Sequence, residues 1–214
     1  MKTALFDLDG TLIDSRADLA LAINLTRQDF GLSPKSQDDV VACVGEGVRL
    51  LIERAIPERP ELWDAMLAHQ RTHYLAHCLD NTALYPGVWE TLESLCAAGW
   101  RLAVVTNKPG PVTRTILEGL GISPAFGAVV GGGDCPVLKP DPAPLLVAAA
   151  QMGVTLDRED WMVGDNFTDL ASGRRAGLKR CFCRYGFGQL RDETYDLAVD
   201  RMTDFLSTGR ESGK

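Results

Sequence analysis

The sequence lacks the features that mark several large classes of protein. It has six cysteines among 214 residues but no Cys-x-x-Cys pair, which disfavours both a zinc finger and a disulfide framework. No stretch approaches the ~18 consecutive apolar residues of a membrane span. The N-terminal residues also lack the longer apolar run of a signal peptide. We therefore expect a cytoplasmic protein with no membrane partner.

The sequence has fewer basic than acidic residues. The chain has 22 Lys and Arg against 29 Asp and Glu, a formal net charge of −7 with His neutral. An acidic chain repels phosphate backbones, so we expect no nucleic-acid partner, although a small anion can still bind a locally positive site. Hydrophobic residues make up 45% and charged residues 24%, which is ordinary for a globular protein. We expect a monomer or homodimer that binds a small molecule.

Short apolar runs alternate with helical patterns along most of the chain. Because the runs are continuous rather than alternating, we expect strands that are covered on both faces. Strand–helix alternation of this kind predicts an α/β fold with a doubly wound parallel sheet. The predicted strands cover residues 3–8, 101–106, 125–130, 160–163 and 179–183.

One long stretch breaks this alternation. Between residues 15 and 81 there is no good strand pattern, but there are several helical ones, over 18–30, 36–44, 48–55 and 61–79. We interpret residues 15–81 as an inserted helical cap domain, and residues 1–14 and 82–214 as the core.

Polar and charged residues follow the predicted strands at the points where they end. In a doubly wound sheet these strand ends and the loops between them meet on one rim. The clusters are Asp7-Leu8-Asp9-Gly10-Thr11, Thr106-Asn107-Lys108, Lys139, and Gly164-Asp165 with Asp169.

The chemistry of these clusters predicts a metal and a phosphoryl group. Carboxylates that ionise together need a cation, and oxygen ligands without nearby His or Cys favour Mg²⁺ over zinc. Asp165, at a strand end, is the better direct ligand, and Asp169 is a candidate to act through water. Lys139, Thr106 and Asn107 are the candidates for binding phosphoryl oxygens, and Gly10 for presenting its backbone N–H.

The spacing of the first two carboxylates suggests their roles. In an extended segment, residues i and i+2 point the same way, so Asp7 and Asp9 can address one phosphorus atom. Asp7 is then the nucleophile that forms an aspartyl-phosphate. Asp9 protonates the leaving oxygen and later takes a proton from water.

Taken together, the motifs resemble those of the haloacid dehalogenase superfamily of phosphohydrolases, in the same order along the chain. The strings closest to its phosphoglycolate phosphatase-like branch are Thr106-Asn107-Lys108-Pro109, Gly132-Gly133-Asp134, Lys139-Pro140-Asp141-Pro142 and Val44-Gly45-Glu46-Gly47. The resemblance implies Mg²⁺ held by Asp7, the backbone carbonyl of Asp9, and Asp165. It also implies a phosphatase with a helical cap, and 2-phosphoglycolate is the best substrate candidate.

The substrate's carboxylate would need a cation in the cap. Arg49, beside Gly45-Glu46-Gly47, is the candidate from motif position and charge, although Glu46 would oppose an anion if it points inward.

The alternatives within the superfamily are a sugar-phosphate or amino-sugar-phosphate phosphatase, or a phosphomutase. A receiver-like signalling domain is a more distant alternative, because it also uses a phosphorylatable Asp with Mg²⁺, but the helical insertion argues against it.

The three histidines of the chain are His69, His73 and His77, spaced four residues apart. On a helix they would form a stripe. Either a surface metal site or a solvent-facing, partly packed stripe is consistent with this spacing, and the second is the simpler interpretation.

Overall fold

The computed structural model describes residues 2–212, with the side chains of residues 2–207. The strands are β1 (Thr3–Phe6), β2 (Ile13–Asp14), β3 (Ala83–Leu84), β4 (Arg101–Pro109), β5 (Ala128–Gly132), β6 (Trp161–Gly164), β7 (Lys179–Cys183) and β8 (Leu197–Val199). The helices are α1 (Arg16–Asp29), α2 (Gln37–Val41), α3 (Val48–Ala55), α4 (Trp63–His77), α5 (Val88–Ala97), α6 (Gly110–Gly119), α7 (Ala143–Met152) and α8 (Phe167–Arg175). Segments of 3₁₀ helix span Pro60–Leu62, Ser123–Ala125 and Met202–Ser212.

The main sheet is parallel throughout. Its six strands are ordered β5-β4-β1-β6-β7-β8, so β1 lies between β4 and β6. The carboxyl ends of these three strands therefore meet at one edge of the sheet, where a parallel α/β fold places its ligands. Within residues 2–212, no helix is both long and apolar enough to cross a membrane.

Both faces of the sheet are buried. Successive residues of β1 enter different clusters, since Leu5 packs with Val105 and Met162 while Phe6 packs with Val104 and Val163. All six side chains are fully buried. This explains the continuous apolar runs and confirms the prediction of a doubly wound α/β fold.

Helices α1 to α4 lie between β2 and β3 in the chain. These two short strands pair antiparallel, with Ile13 opposite Leu84 and Asp14 opposite Ala83. The buried Asp18 carboxylate then accepts the backbone N–H groups of Asn81 and Thr82 at 2.8–3.0 Å. The chain thus leaves and re-enters the sheet region at one anchored point. The division into a core (1–14 and 82–214) and a cap (15–81) stays a prediction, and residues 1, 213 and 214 lie outside the described residues.

Two parts of the sheet lie outside the predicted strands. Gly131 and Gly132 form the end of β5, beyond the strand predicted over residues 125–130. A Cβ at Gly131 would lie 2.5 Å from the Cα of Gly110, so close backbone packing requires glycine there. The polar C-terminal stretch also contributes β8 and a core residue, Phe205, which is 0% exposed.

We expect Phe205→Ala to lower the free energy of unfolding by about 3–5 kcal/mol, the usual cost of emptying a buried aromatic site. The Phe205 ring packs edge-on against Phe6, Trp100 and Trp161 at centroid distances of 5.5–6.1 Å. Urea denaturation followed by tryptophan fluorescence measures the loss. Leu146→Ala, at a position 54% exposed on α7, is the control and should change stability by less than about 0.5 kcal/mol. Similar losses for both variants would contradict this account of the core.

Candidate active site

The loop after β1 carries the first two carboxylates. Asp7 continues the strand by one residue, because its backbone N–H donates to the Val163 carbonyl at 2.9 Å. Leu8, between the two acids, is fully buried, and its carbonyl accepts the N–H groups of residues 11–13. This turn brings Asp7 and Asp9 to the wall of one cavity, as the i, i+2 spacing predicts.

Two more carboxylates come from β6 and α8. Asp165 follows the last residue of β6, and its Oδ2 accepts the N–H groups of Phe187 and Gly188 at 2.9 and 2.7 Å. Asp169 lies in the first turn of α8, and its Oδ2 accepts the N–H of Asn166 at 2.9 Å in a capping box. One carboxylate oxygen from each of Asp7, Asp165 and Asp169 lies within 4.8 Å of the other two.

Gly10 allows the β1 loop to approach Asp165. Its φ is +77°, and a Cβ at this position would lie 1.9 Å from Asp165 Oδ2. Any other residue would therefore strain the backbone and overlap the carboxylate. Gly10 does not line the cavity within the described residues, so the structure associates it with Asp165 and not with a ligand.

Lys139 is the cation within the carboxylate cluster. It is 2% exposed, and its Nζ lies 2.7 Å from Asp169 Oδ1 and 3.0 Å from Asp7 Oδ1. It also donates to the Val105 carbonyl at 2.5 Å. Burial disfavours the ammonium, but the charges of Asp169 and Asp7 outweigh it and raise the pKa of Lys139 above its ordinary value.

Negative charge exceeds positive charge at this cluster. Three carboxylates face the single ammonium of Lys139. Burial, together with the charges of Asp169 and Asp7, raises the pKa of Asp165 well above its ordinary value. Burial and the Asp7 charge raise the pKa of Asp169 to about 7. The cluster therefore needs either protons or a further cation, and its carboxylate oxygens suit a hard divalent ion.

Asp9 belongs to a separate, charge-balanced group. Lys108 Nζ lies 2.8 and 2.9 Å from the two Asp9 oxygens and also donates to the hydroxyl of Tyr74 on α4. The Ser15 hydroxyl donates to Asp9 as well. Burial raises the pKa of Tyr74 well above its ordinary value, so the phenol stays protonated.

Thr106 and Asn107 follow the core of β4. Thr106 lines the cavity, and its Oγ1 accepts the Lys108 N–H at 3.3 Å, which leaves the hydroxyl proton free to donate. Asn107 accepts the Lys139 N–H through Oδ1 at 2.8 Å and donates through Nδ2 to the carbonyls of Lys139 and Gly45. Asn107 therefore positions the loop that carries Lys139.

The cavity lies between the strand ends and the inserted helices, and its volume is about 380 Å³. The strand side of the cavity is lined by Asp7, Asp9, Asp165, Thr106, Asn107 and Lys108. The helix side is lined by Val44, Gly45, Gly47, Val48, Leu51, Gln70, Arg71, Tyr74 and Leu75. Lys139 and Asp169 are buried behind Asp7.

The structure does not bring Arg49 into this cavity. Its guanidinium is half-exposed and pairs with Glu53 at 2.6 Å and with Asp64. Glu46 is likewise held by Arg54 and Arg191, at 2.8 and 3.0 Å, and does not line the cavity. Glu46 therefore places no carboxylate on the cavity wall, where it would repel an anion.

Arg71, on α4, is the cavity-lining arginine that sequence reasoning missed. Within the described residues it has no ion-pair partner. Tyr74 was missed as well, and Lys108 was named at its strand end without a role. Lys108 directly follows Thr106-Asn107 in the sequence, at a predicted strand end. Nothing in the sequence indicates which face of α4, the helix of Arg71 and Tyr74, meets the cavity.

Comparison with known proteins agrees with this arrangement. Residues 4–183 match the family model for haloacid dehalogenase-like hydrolases. A phosphoglycolate phosphatase of Aquifex aeolicus is 35% identical over 96% of this chain and 95% of the relative's own length. A phosphoglycolate phosphatase of Colwellia psychrerythraea is 40% identical over 88% of this chain and 86% of the relative's own length. A crystal structure from Haemophilus somnus 129PT, described as a predicted phosphoglycolate phosphatase, is 31% identical with a TM-score of 0.91 and covers 98% of both chains.

The family match spans β1 to β7, and with it the strands and loops that carry Asp7, Thr106, Lys139 and Asp165. The chain therefore belongs to the haloacid dehalogenase-like hydrolases, as a phosphatase of the phosphoglycolate phosphatase-like kind.

Proposed function

We propose that this phosphatase hydrolyses a small phosphomonoester that also carries a carboxylate, with 2-phosphoglycolate as the best candidate, through nucleophilic attack by Asp7 assisted by Mg²⁺. The observation that carries the proposal is the convergence of Asp7, Asp165 and Asp169 beside Lys139 at the wall of a cavity. The names of the relatives from Aquifex aeolicus and Colwellia psychrerythraea support the substrate.

The residues fit a Mg²⁺ ion. Asp7 Oδ1 is buried and has no hydrogen-bond partner within the described residues, and its nearest cation is the Lys139 ammonium at 3.0 Å. Asp165 uses Oδ2 for backbone N–H groups, which leaves Oδ1 for a cation. Asp7 and Asp165 would hold the ion directly, with the Asp9 carbonyl as the resemblance implies, and Asp169 would act through water. Bound Mg²⁺ would neutralise carboxylate charge and polarise phosphoryl oxygens.

The covalent steps would use the two acids of the β1 loop. An Asp7 oxygen attacks phosphorus, and the aspartyl-phosphate bond forms as the bond to the ester oxygen breaks. Asp9 gives its proton to that leaving oxygen. The ionised Asp9 then takes a proton from water, whose oxygen attacks phosphorus and releases phosphate from Asp7. Lys108, which pairs with Asp9, would hold this carboxyl group in place through both steps.

Neighbouring groups would bind the phosphoryl oxygens. The Lys139 ammonium sits 3.0 Å from Asp7 Oδ1, where it would offer positive charge beside the reacting phosphorus. The Thr106 hydroxyl has a free proton and lines the same cavity. Asn107 would act by holding the Lys139 loop.

The helix side of the cavity offers a cation to a substrate that carries a carboxylate. Val44, Val48, Leu51 and Leu75 make much of this wall apolar, and its polar side chains are Gln70, Arg71 and Tyr74. Arg71 is a cation without an ion pair on this same wall. Arg71 therefore replaces Arg49 as the candidate for binding the substrate's carboxylate.

We expect Asp7→Asn to lower kcat at least about a hundredfold, because it removes the nucleophile of the covalent route. Acid-quenched enzyme from a reaction with ³²P-labelled substrate and Mg²⁺ should carry label on Asp7 in the wild type and none in the variant. Urea denaturation checks that the variant stays folded. Activity above one tenth of wild type in a folded variant would refute the covalent route.

Asp9→Asn should slow the hydrolysis of alkyl phosphates about 10²- to 10⁴-fold, the usual contribution of a general acid. The loss should be smaller for p-nitrophenyl phosphate, whose leaving group needs little protonation. Rates of phosphoenzyme formation across a series of leaving groups measure this difference. A uniform loss across the series would contradict the acid role of Asp9.

Arg71→Ala should raise KM for 2-phosphoglycolate about 10- to 100-fold, because a charge-assisted hydrogen bond contributes about 1.5–3 kcal/mol. KM for p-nitrophenyl phosphate, which has no carboxylate, should change less than about twofold. Arg49→Ala is the matched control and should change neither value, since Arg49 pairs with Glu53 and Asp64. Equal increases for both substrates, or the same effect from Arg49→Ala, would remove Arg71 from substrate recognition.

A further inference from the structure

A second group of metal-binding side chains lies on the inserted helices. Asp29 is the last residue of α1, and His69 and His73 lie one turn apart on α4. Asp29 Oδ2 is 2.7 Å from His69 Nδ1 and 2.7 Å from His73 Nε2. None of the three residues lines the cavity that holds Asp7.

We propose that Asp29, His69 and His73 form a binding site for a borderline divalent cation such as Zn²⁺. One ligand atom from each residue lies within 4.8 Å of the other two. Imidazole nitrogens and a carboxylate oxygen are the ligands that Zn²⁺ uses in sites with three protein ligands. The donor set differs from the all-carboxylate cluster at the sheet edge, which suits a hard cation.

The local geometry already resembles a coordination sphere. Two imidazole rings direct a nitrogen at the same carboxylate oxygen, an arrangement in which a single cation can replace two protons. Zn²⁺ binds nitrogen and oxygen at about 2.0–2.2 Å, so tetrahedral coordination would open the N···O distances from 2.7 Å to about 3.3–3.6 Å. All three side chains are partly exposed and free to make this adjustment.

Neighbouring residues favour the site. The His69 ring packs edge-on against Phe30 at a centroid distance of 5.0 Å, which restrains its plane. The three ligands line a surface depression with Ala68 and Thr72, where water can complete the coordination. Two neutral imidazoles and one carboxylate would leave a bound dication with one positive charge, which an acidic chain tolerates.

His77 is the internal control for this proposal. It lies on the same helix, one turn after His73, but its Nδ1 pairs with Asp80 at 2.8 Å and not with Asp29. A nonspecific affinity of exposed histidines for metal would involve His77, whereas the proposed site does not.

Binding would join the end of α1 to the middle of α4. These helices are separated by α2, α3 and the loops between them along the chain. A cation that binds the folded state and not the unfolded chain stabilises it by mass action. The site would therefore be structural, acting on the helical insertion and not on the reaction.

The test is a Zn²⁺ titration of the full chain in excess Mg²⁺, which keeps the carboxylate cluster occupied. Imidazole NMR resonances and the thermal unfolding temperature are the readouts, and neither depends on activity. We expect Zn²⁺ to shift the resonances of His69 and His73 and to raise the unfolding temperature. His77→Gln should preserve both effects, and it also preserves all six cysteines as competing ligands.

His69→Gln, His73→Gln and Asp29→Asn should each weaken binding at least about tenfold, as expected when a metal site loses a ligand. Circular dichroism of the metal-free variants checks that these partly exposed substitutions leave the fold intact. Wild-type Zn²⁺ affinity in the three variants would overturn the proposal. Unchanged His69 and His73 resonances in the presence of Zn²⁺ would also overturn the proposal. They would mean that the cluster is only an ion pair between the imidazoles and Asp29. Neither result would bear on the proposed phosphatase reaction.

Discussion

The structure depends on holding three carboxylates together at the edge of a parallel sheet. Asp7, Asp165 and Asp169 repel one another when ionised, and burial increases the cost of each charge. The chain offsets this cost with fixed donors: Lys139 faces Asp7 and Asp169, and backbone N–H groups bind Asp165 and Asp169. Because these donors are rigid, the carboxylates are arranged before any ligand arrives. The excess negative charge that remains is the basis of the Mg²⁺ site proposed above.

A second arrangement joins the sheet to the inserted helices. Lys108, at the end of β4, contacts both Asp9 and the Tyr74 hydroxyl on α4. The side chain of Asn107, its neighbour, donates to the Gly45 carbonyl on the other side of the cavity. Movement of α4 away from the strand ends would break the Lys108–Tyr74 contact and change the surroundings of Asp9. The position of the helices and the environment of the Asp9 carboxylate are therefore linked through Lys108.

The sequence was informative where the chemistry lies close along the chain. The continuous apolar runs around Leu5 and Val105 predicted a sheet buried on both faces, and the carboxylates that follow these runs predicted a common rim. Both predictions rest on the geometry of parallel strands, which is the same in every such sheet. Phe205 was not predicted, because its burial comes from contacts with Phe6, Trp100 and Trp161 far away in the chain. Its own surroundings in the sequence are polar and give no helix or strand period.

Side chains that meet between two helices were the hardest to predict. Asp29 and His73 are separated by 44 residues, so the histidine spacing alone could not reveal the carboxylate between them. The choice of Arg49 shows the same limit, although here the sequence held a clue. Glu53 lies four residues after Arg49 on a predicted helix, the spacing at which opposite charges pair. A cation with a partner on its own helix is already neutralised. The arginine that lines the cavity, Arg71, has no such partner on its helix, which is why it is the residue proposed to bind the substrate's carboxylate.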